Sequence, residues 1–168
     1  MKVEPVILDG KYVRLEPLRI DHLPAICKAG LDESLWKWTN NIVNNEGDLE
    51  GYVRGALADQ MQGNAIPFVT IERESGAIVG STRFGNIDTA NRKVEIGWTW
   101  ITPKMQRTRI NSEAKLLMLT HAFEVWKCVR VELKTDANNQ QSRDAMKRIG
   151  LTERTGRGVY YSWRRQNK

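Results

Sequence analysis

The chain has 168 residues, of which 40% are hydrophobic and 27% are charged. This length and balance are typical of one folded domain and exclude a disordered chain. No apolar run approaches the ~20 residues of a membrane-spanning helix, and the opening MKVEPVILDG lacks the apolar core of a signal peptide. We therefore expect a single domain over residues 1–168, located in the cytoplasm.

The net charge is +6, from 26 basic and 20 acidic side chains. An excess of basic residues favours an anionic partner, which could be a nucleic acid, the ribosome or a phosphorylated cofactor. The two cysteines, Cys27 and Cys128, are far apart in the sequence, and neither stands in a CxxC or His-rich pattern. We expect two buried reduced thiols, with no disulfide and no metal site.

Hydrophobic periodicity predicts the first half of the chain as a strand, two helices and three strands. The first helix is predicted to have Asp21 as its N-cap and Gly30 as its end. Turn sequences separate the three strands, as expected for a hairpin meander. In chain order, the predicted segments are 11–18, 19–30, 48–61, 65–72, 77–87 and 93–101.

The second half is predicted to contain a long helix, a strand, a short helix and a terminal hairpin, at 107–126, 129–135, 139–150 and 152–163. The whole order predicts a mixed α/β fold whose central sheet is mostly antiparallel and flanked by helices. The strand–helix–strand unit over 93–135 should form a right-handed parallel crossover. The long helix then begins at the carboxyl end of a strand, where α/β sheets bind ligands.

The loop before the long helix is polar and basic and contains no glycine. A helix start exposes unpaired N–H groups, and arginine's planar fork matches phosphate oxygens. This chemistry predicts a polyphosphate site in ordinary backbone conformations. On chemistry alone, a solvated basic turn capped by Asn111 and Ser112 is an equal alternative. The loop residues concerned are Lys104, Gln106, Arg107, Arg109 and Asn111.

The stretch QRTRINSEAKLLMLTHAFE (106–124) resembles the cofactor signature Q/R-x-x-G-x-G/A of the GNAT acyltransferase superfamily. It is most similar to the QRT-x-x-N-x-E-A-K form of the ribosomal-protein N-terminal acetyltransferase (RimJ/RimL-like) branch. Three further stretches resemble that family in the same order. They are LDGKYVRLEPLRIDHL (8–23), VEIGWTWITP (94–103) and TDANNQQSRDAMKRIGL (135–151).

The resemblance implies a GNAT fold and acetyl-CoA as acyl donor, with no metal. In such proteins the loop and helix bind the pyrophosphate through main-chain N–H groups. Gln106 matches the first signature position, whereas Arg109 departs from its glycine. Lys104 or Lys115 would meet outer phosphate charge. The implied cofactor-binding residues are Trp100, Ile101, Gln106, Arg107, Thr108, Arg109, Ile110, Asn111, Ser112, Asn139 and Ser142.

The sequence shows no nucleophile with a neighbouring base, so we expect direct attack by an amine on the thioester. The resemblance places the thioester carbonyl at a main-chain N–H around residues 99–101. Glu95 is the candidate base, and a solvent-facing strand residue is the alternative. The RimL-like pattern implies that Asn139 bonds the pantetheine arm and that Ser142 is the acid for the leaving thiolate, and Met146 stands where many GNAT enzymes have a tyrosine acid. Simple helix-start roles for Asn139 and Ser142 are the alternative.

The resemblance places the acceptor walls at residues 31–40, with Trp36 and Trp38, on one side and at the terminal hairpin, with Tyr160 or Tyr161, on the other. Of the first two, one should pack inward, because residues two apart do not share a helical face. Trp98 and Trp100 alternate along one strand and are expected in the core. The acceptor itself is expected to be a peptide or protein N-terminus or a small amine.

Two other interpretations compete with an acetyltransferase. One is a non-catalytic basic module that binds RNA or the ribosome, although no aromatic-rich RNA-binding motif supports it. The other is a coenzyme A-binding GNAT-fold protein without catalysis, since a fold does not fix a function. We expect no membrane partner and no nucleic acid, and homodimer formation is left open.

Overall fold

A computed structural model describes the backbone of residues 1–156 and 158–164, with side chains up to Leu151. The strands are β1 (Leu8–Asp9), β2 (Val13–Pro17), β3 (Ile66–Glu72), β4 (Ile78–Asp88), β5 (Lys93–Ile101), β6 (Arg130–Thr135), β7 (Thr152–Gly156) and β8 (Gly158–Arg164). The helices are α1 (Leu23–Gly30), α2 (Glu46–Met61), α3 (Arg109–Thr120) and α4 (Gln140–Arg148). No helix of the described segments is long and apolar enough to cross a membrane.

The strands form one sheet in the order β1-β2-β3-β4-β5-β6-β8-β7. Neighbouring strands are antiparallel except β5 and β6, which are parallel and joined by α3. The mixed α/β class and the parallel crossover are therefore confirmed. Apolar residues of α1 and α2 pack on one face of the sheet, and those of α3 and α4 pack on the other.

Two helix starts differ from the sequence prediction. Asp21 is not an N-cap: a 3-10 turn precedes α1, and the Asp21 carboxylate instead binds the Arg19 guanidinium at 3.0 Å. Proline 24 sits in the first turn of α1, where its fixed φ angle is compatible with a helix.

The long helix begins at Arg109 rather than at residue 107, and a π-helical turn over His121–Val125 follows its α-helical part. Its N-cap is Thr108, whose Oγ1 accepts the Ile110 N–H at 3.3 Å, and not Asn111 or Ser112. The start moves because Arg107 has a left-handed φ of 60° and cannot belong to the helix.

A β-bulge interrupts β5. Ser81 pairs with Trp100 but Arg83 pairs with Gly97, so β5 has one residue more than β4 between these pairs. Trp98, at the bulge, has a φ of 51° and is 36% exposed, whereas Trp100 is 3% exposed. The expected core position is thus confirmed for Trp100 and wrong for Trp98, because the bulge breaks the two-residue alternation.

Both cysteines are buried and free, as expected. Cys27 belongs to α1 and packs in the core shared with α2, together with Leu49 and Val53. Cys128 packs in the larger core between the sheet and α3, close to Met1.

The Glu113 carboxylate ties α3 to the turn between β1 and β2. It accepts the backbone N–H groups of Lys11, Tyr12 and Val13 at 3.0, 2.7 and 2.8 Å. A Cβ on Gly10 would lie 2.6 Å from this carboxylate, so the turn needs glycine to come this close. These bonds hold α3 in place against the first strands.

Lys115 is a buried amine in the layer between α3 and the sheet. Its Nζ donates to Thr99 Oγ1 at 2.6 Å and to Thr82 Oγ1 at 3.2 Å. Burial lowers the pKa of the Lys115 amine from 10.5 to about 7. The expectation that Lys115 meets outer phosphate charge is wrong, since its side chain points into the core.

The Lys115 amine should make stability depend on pH. Its pKa is about 7 in the folded chain and 10.5 when solvated, so between these values the unfolded chain binds one more proton. The free energy of unfolding should then rise with pH across this window, by about 1.4 kcal/mol per unit at most and roughly 3 to 6 kcal/mol in all. Below pH 7 this contribution should be flat.

Denaturant unfolding of the wild type and of Lys115→Met at pH 6.5, 7.5, 8.5 and 9.5 measures this effect. Methionine has similar length and no titration, so the difference between the two proteins cancels the titration of all other groups. The wild type should gain stability relative to Lys115→Met as pH rises. Two parallel curves would show that the amine is not desolvated.

Candidate active site

A cleft opens between β5 and β6. The two strands pair in register at Lys93 with Arg130, Val94 with Val131 and Glu95 with Glu132, and the described residues show no pair between them beyond Glu95. Helix α3 starts after the end of β5, and α4 starts after the end of β6. Both helices lie on the same face, so their N-termini flank this cleft.

Gln106 braces the mouth of the cleft. Its side-chain Nε2 donates to the Ile101 carbonyl at 3.0 Å, which fixes the loop to the end of β5. Its Oε1 accepts from Gln141 Nε2 at 3.3 Å, which joins the loop to α4. A single hydrogen bond across the cleft therefore links the loop before α3 to the first turn of α4.

The loop does not keep ordinary backbone conformations, contrary to the sequence expectation. Arg107 adopts the left-handed region, which costs a non-glycine residue about 1–2 kcal/mol. Its side chain is exposed, and the first turn of α3 contains no acidic residue. Unpaired helix N–H groups and the Arg107 guanidinium therefore lie close together at this point. No carboxylate on that turn would repel an anion bound there.

Arg109 points away from the loop towards β2. Its Nη1 donates to the Tyr12 hydroxyl, and its guanidinium carbon lies 5.1 Å from the centre of the Tyr12 ring. This hydrogen bond, with a smaller effect of Lys11, lowers the pKa of Tyr12. Arg109 is thus already engaged with Tyr12, whereas Arg107 is not.

The start of α4 places Asn139 and Ser142 one turn apart beside the cleft. Asn139 is the N-cap, and its Oδ1 accepts the Ser142 N–H at 3.1 Å. This cap occupies the oxygen of the Asn139 side chain and leaves its NH₂ group as a donor. The Ser142 side chain is half-buried.

Glu95 lies at the last paired position before the cleft, and only 6% of it is exposed. Its Oε2 accepts from Asn86 Nδ2 at 2.7 Å and from Lys134 Nζ at 2.5 Å. Glu95 is therefore not a solvent-facing strand residue. Two strands supply the donors that orient its carboxylate.

Two adjoining cavities of about 320 and 540 Å³ lie on the α2 side of the sheet and share the residues Asp59, Arg83 and Trp98. The Arg83 guanidinium carbon lies 5.2 Å from the centre of the Tyr52 ring and 5.0 Å from that of the Trp98 ring. Its Nη1 contacts Asp59 Oδ2 at 3.3 Å. We call these two cavities the α2 groove.

Glu95 lies beside the α2 groove. Its hydrogen-bond partner Asn86 lines the smaller cavity, as does Gly85, which pairs with Glu95 across the strands. A Cβ on Gly85 would lie 2.3 Å from the Trp98 ring, so glycine lets that ring cover the strand. The groove and the cleft thus meet near the Glu95 carboxylate.

Neither Trp36 nor Trp38 lines the α2 groove. Trp36 is buried and donates its Nε1–H to the Gly30 carbonyl at 2.8 Å, which confirms that one of the two tryptophans packs inward. Trp38 is exposed and lines neither cavity. The side chains of Tyr160 and Tyr161 lie outside the described residues.

Sequence reasoning missed the residues that do line the α2 groove, above all Tyr52, Asp59 and Arg83. Glycine within the strand pattern GWTW was a signal for the bulge that exposes Trp98. No local pattern marks Arg83 as buried, since its partners come from α2 and β5.

Comparison with known proteins agrees with this architecture. The family model described as "Acetyltransferase (GNAT) domain" matches residues 13–152. A Bacillus subtilis (strain 168) protein described as "Putative ribosomal N-acetyltransferase YdaF" is 35% identical over 78 residues, which cover 46% of this chain. The match spans 42% of that relative's length.

Two solved structures share the fold. A GCN5-related N-acetyltransferase from Brucella melitensis is 27% identical, with a TM-score of 0.82 over 98% of this chain and 80% of that one. The RimL ribosomal L7/L12 alpha-N-protein acetyltransferase in complex with coenzyme A is 18% identical, with a TM-score of 0.81 over 95% of this chain and 98% of that one. At 18% identity, the second similarity concerns the fold alone.

The family model covers most of the chain, and the parallel crossover, the loop at the start of α3 and the cleft beside β5 occur in the expected order. The chain therefore belongs to the GNAT family of acetyltransferases.

Proposed function

We propose that the protein transfers an acetyl group from acetyl-CoA to a primary amine by direct attack within a ternary complex. The observation that carries this proposal is the parting of β5 from β6 next to the buried Glu95 carboxylate. Such a cleft can admit a thioester from the side of the helix starts and an amine from the α2 groove.

The donor would bind with its pyrophosphate at the start of α3. Main-chain N–H groups of the first turn and the Arg107 guanidinium supply charge and donors there. The pantetheine arm would run along β5 near Trp100 and Ile101 and meet the NH₂ group of Asn139. A main-chain N–H of residues 99–101 would bind the thioester carbonyl and stabilise its developing negative charge.

Proton transfer would involve Glu95 and Ser142. Glu95 would accept a proton from the acceptor ammonium, directly or through water, so that the free amine attacks the thioester carbon. The tetrahedral intermediate would then collapse and expel the coenzyme A thiolate, which takes a proton from the Ser142 hydroxyl. The attacking nitrogen would lose its remaining surplus proton, which returns through water to the Ser142 oxygen. Direct attack needs no covalent acyl-enzyme, which fits the absence of a paired nucleophile in the sequence.

The acceptor would lie in the α2 groove, with its amine near Glu95. The groove offers the Tyr52 and Trp98 rings, the Arg83–Asp59 pair and several amide side chains, which suits a polar chain. We propose the α-amino group of a peptide or protein, by similarity to the Bacillus subtilis relative that is described as a ribosomal N-acetyltransferase. A small amine is the alternative acceptor.

The first prediction of this proposal concerns the donor site. Arg107→Ala should weaken acetyl-CoA binding by ~1–3 kcal/mol for each charged hydrogen bond lost. Arg109→Ala should cost less, because Arg109 already binds Tyr12. Isothermal titration calorimetry with acetyl-CoA and coenzyme A measures both variants, with the exposed Arg54→Ala in α2 as the matched control.

Unchanged affinity in an Arg107→Ala and Arg109→Ala double variant would place the donor elsewhere. A titration with a generic RNA at two salt concentrations belongs to the same experiment. Salt-sensitive RNA binding without coenzyme A binding would favour a nucleic-acid module instead.

The second prediction concerns proton transfer. Ser142→Ala should lower kcat by about 10²-fold or more while acetyl-CoA affinity stays nearly constant. Glu95→Gln should shift the rate profile to higher pH, where the acceptor amine deprotonates without help. Steady-state rates across pH 6–10 measure both effects.

Two controls match these variants. The control for Ser142→Ala is Ser75→Ala, in the distant β3–β4 turn. The control for Glu95→Gln is Glu132→Gln, which removes the carboxylate that pairs with Glu95 across the strands and binds Arg130. Full activity and an unaltered pH profile in both Ser142→Ala and Glu95→Gln would contradict their proposed roles in proton transfer. Catalysis would then rest on the positioning of the substrates and on water.

A third prediction tests the acceptor. A thiol-release assay should give turnover with peptides that have a free N-terminus and none with the same peptides blocked at that end. Arg83→Gln should change the preference among peptides more than it changes acetyl-CoA affinity. Rapid turnover of one small amine with inert peptides would reject the peptide acceptor and retain the acetyltransferase.

A further inference from the structure

The bulge of β5 is held from both faces of the sheet. On the α3 side, the Gly97 carbonyl lies 3.4 Å from the hydroxyl of Thr82 and 3.4 Å from that of Thr99. On the α2 side, the Trp98 carbonyl accepts the Tyr52 hydroxyl at 3.2 Å. Two consecutive peptide groups are thus held by side chains from three different elements.

The Lys115 amine lies between α3 and the sheet, next to the Thr82 and Thr99 hydroxyls. Its Nζ donates to both, and the two hydroxyl oxygens are themselves 2.8 Å apart. The three polar atoms form a closed triangle between α3, β4 and β5. We call this triangle of Lys115, Thr82 and Thr99 the bulge anchor.

The amine of the bulge anchor is costly to bury. Within the described residues no carboxylate pairs with it, and both of its hydrogen bonds go to neutral hydroxyls. A methionine or leucine would fill the same space without desolvating an amine. Stability of the core therefore does not explain why an amine is present at this position.

We propose that Lys115 is a positioning residue for acetyl transfer, which fixes the β5 bulge through the Thr82 and Thr99 hydroxyls. The bulge directly precedes the N–H groups that would receive the thioester carbonyl. This inference rests on the proposed function, since only a thioester donor gives those N–H groups a reacting partner. Lys115 itself touches neither the donor nor the acceptor.

Geometry explains why such an anchor would matter. The N–H groups must face the oxygen as its negative charge develops, and a displacement of about 1 Å can cost about 10²-fold in rate. The pyrophosphate, in contrast, would be held by the loop at residues 106–112, which is a separate part of the chain. Loss of the anchor should therefore affect turnover more than donor binding.

Kinetics of three variants test this. Lys115→Met and Thr82→Val should each lower kcat by about 10- to 100-fold, with the KM for acetyl-CoA changed by no more than about threefold. Thr82→Ser restores the hydroxyl and should recover most of the rate lost in Thr82→Val. Cys128 is a buried residue outside the site. The variant Cys128→Ala therefore controls for loss of stability and should keep the wild-type kcat.

A second measurement does not depend on activity. Amide hydrogen exchange of residues 97–100 in the free protein should be about tenfold faster in Lys115→Met than in the wild type, with β3 unchanged. Amide NMR signals of residues 99–101 should differ between the coenzyme A and acetyl-CoA complexes of the wild type. In Lys115→Met this difference should shrink.

The outcomes separate the anchor from the proposed function. Wild-type kcat in Lys115→Met, or unchanged exchange at residues 97–100, would overturn the bulge anchor while leaving the acetyltransferase intact. A wild type that binds no acetyl-CoA would overturn the proposed function, and the exchange data would still decide whether Lys115 fixes the bulge. If Lys115→Met and Cys128→Ala lost equal amounts of kcat and of stability, Lys115 would have only a structural role in the core.

Discussion

The functional architecture depends on the point at which β5 parts from β6. Three residue pairs join the two parallel strands, and the last of them contains Glu95. Up to that point the backbone groups of β5 are used by the sheet on both sides; beyond it, one edge of β5 faces a cleft. In the proposed mechanism, the Glu95 carboxylate would therefore accept a proton at the place where the thioester enters.

The bulge in β5 is the second constraint, and it redistributes side chains between the faces of the sheet. One additional residue turns Trp98 out over Gly85 and leaves Trp100 in the core beneath α1. The left-handed conformation of Trp98 is costly by itself, so contacts from elsewhere must offset it. The Tyr52 hydroxyl and the stacked Arg83 guanidinium provide such contacts.

Helix α3 connects these features, and residues of its motif also hold the fold together. Glu113 holds the first hairpin through three backbone N–H groups, and Lys115 reaches the bulge from the opposite side of the same helix. A signature that resembles a cofactor site therefore also contains two residues with internal partners. The exposed residues around the start of the helix, Arg107 to Arg109, are the part that can face a ligand.

The sequence by itself determined the order of the elements after β1 and the parallel crossover, because periodicity is a local property of the chain. Its motifs also resemble the family that the family model shows. It also determined that both cysteines are buried and that one tryptophan of the pair 36 and 38 packs inward. The tertiary structure alone decided the direction of Lys115, the exposure of Trp98 and the assembly of the α2 groove. A one-residue bulge reverses the alternation on which strand predictions rest, and Asp59, Arg83 and Trp98 meet only through the packing of α2 on two strands.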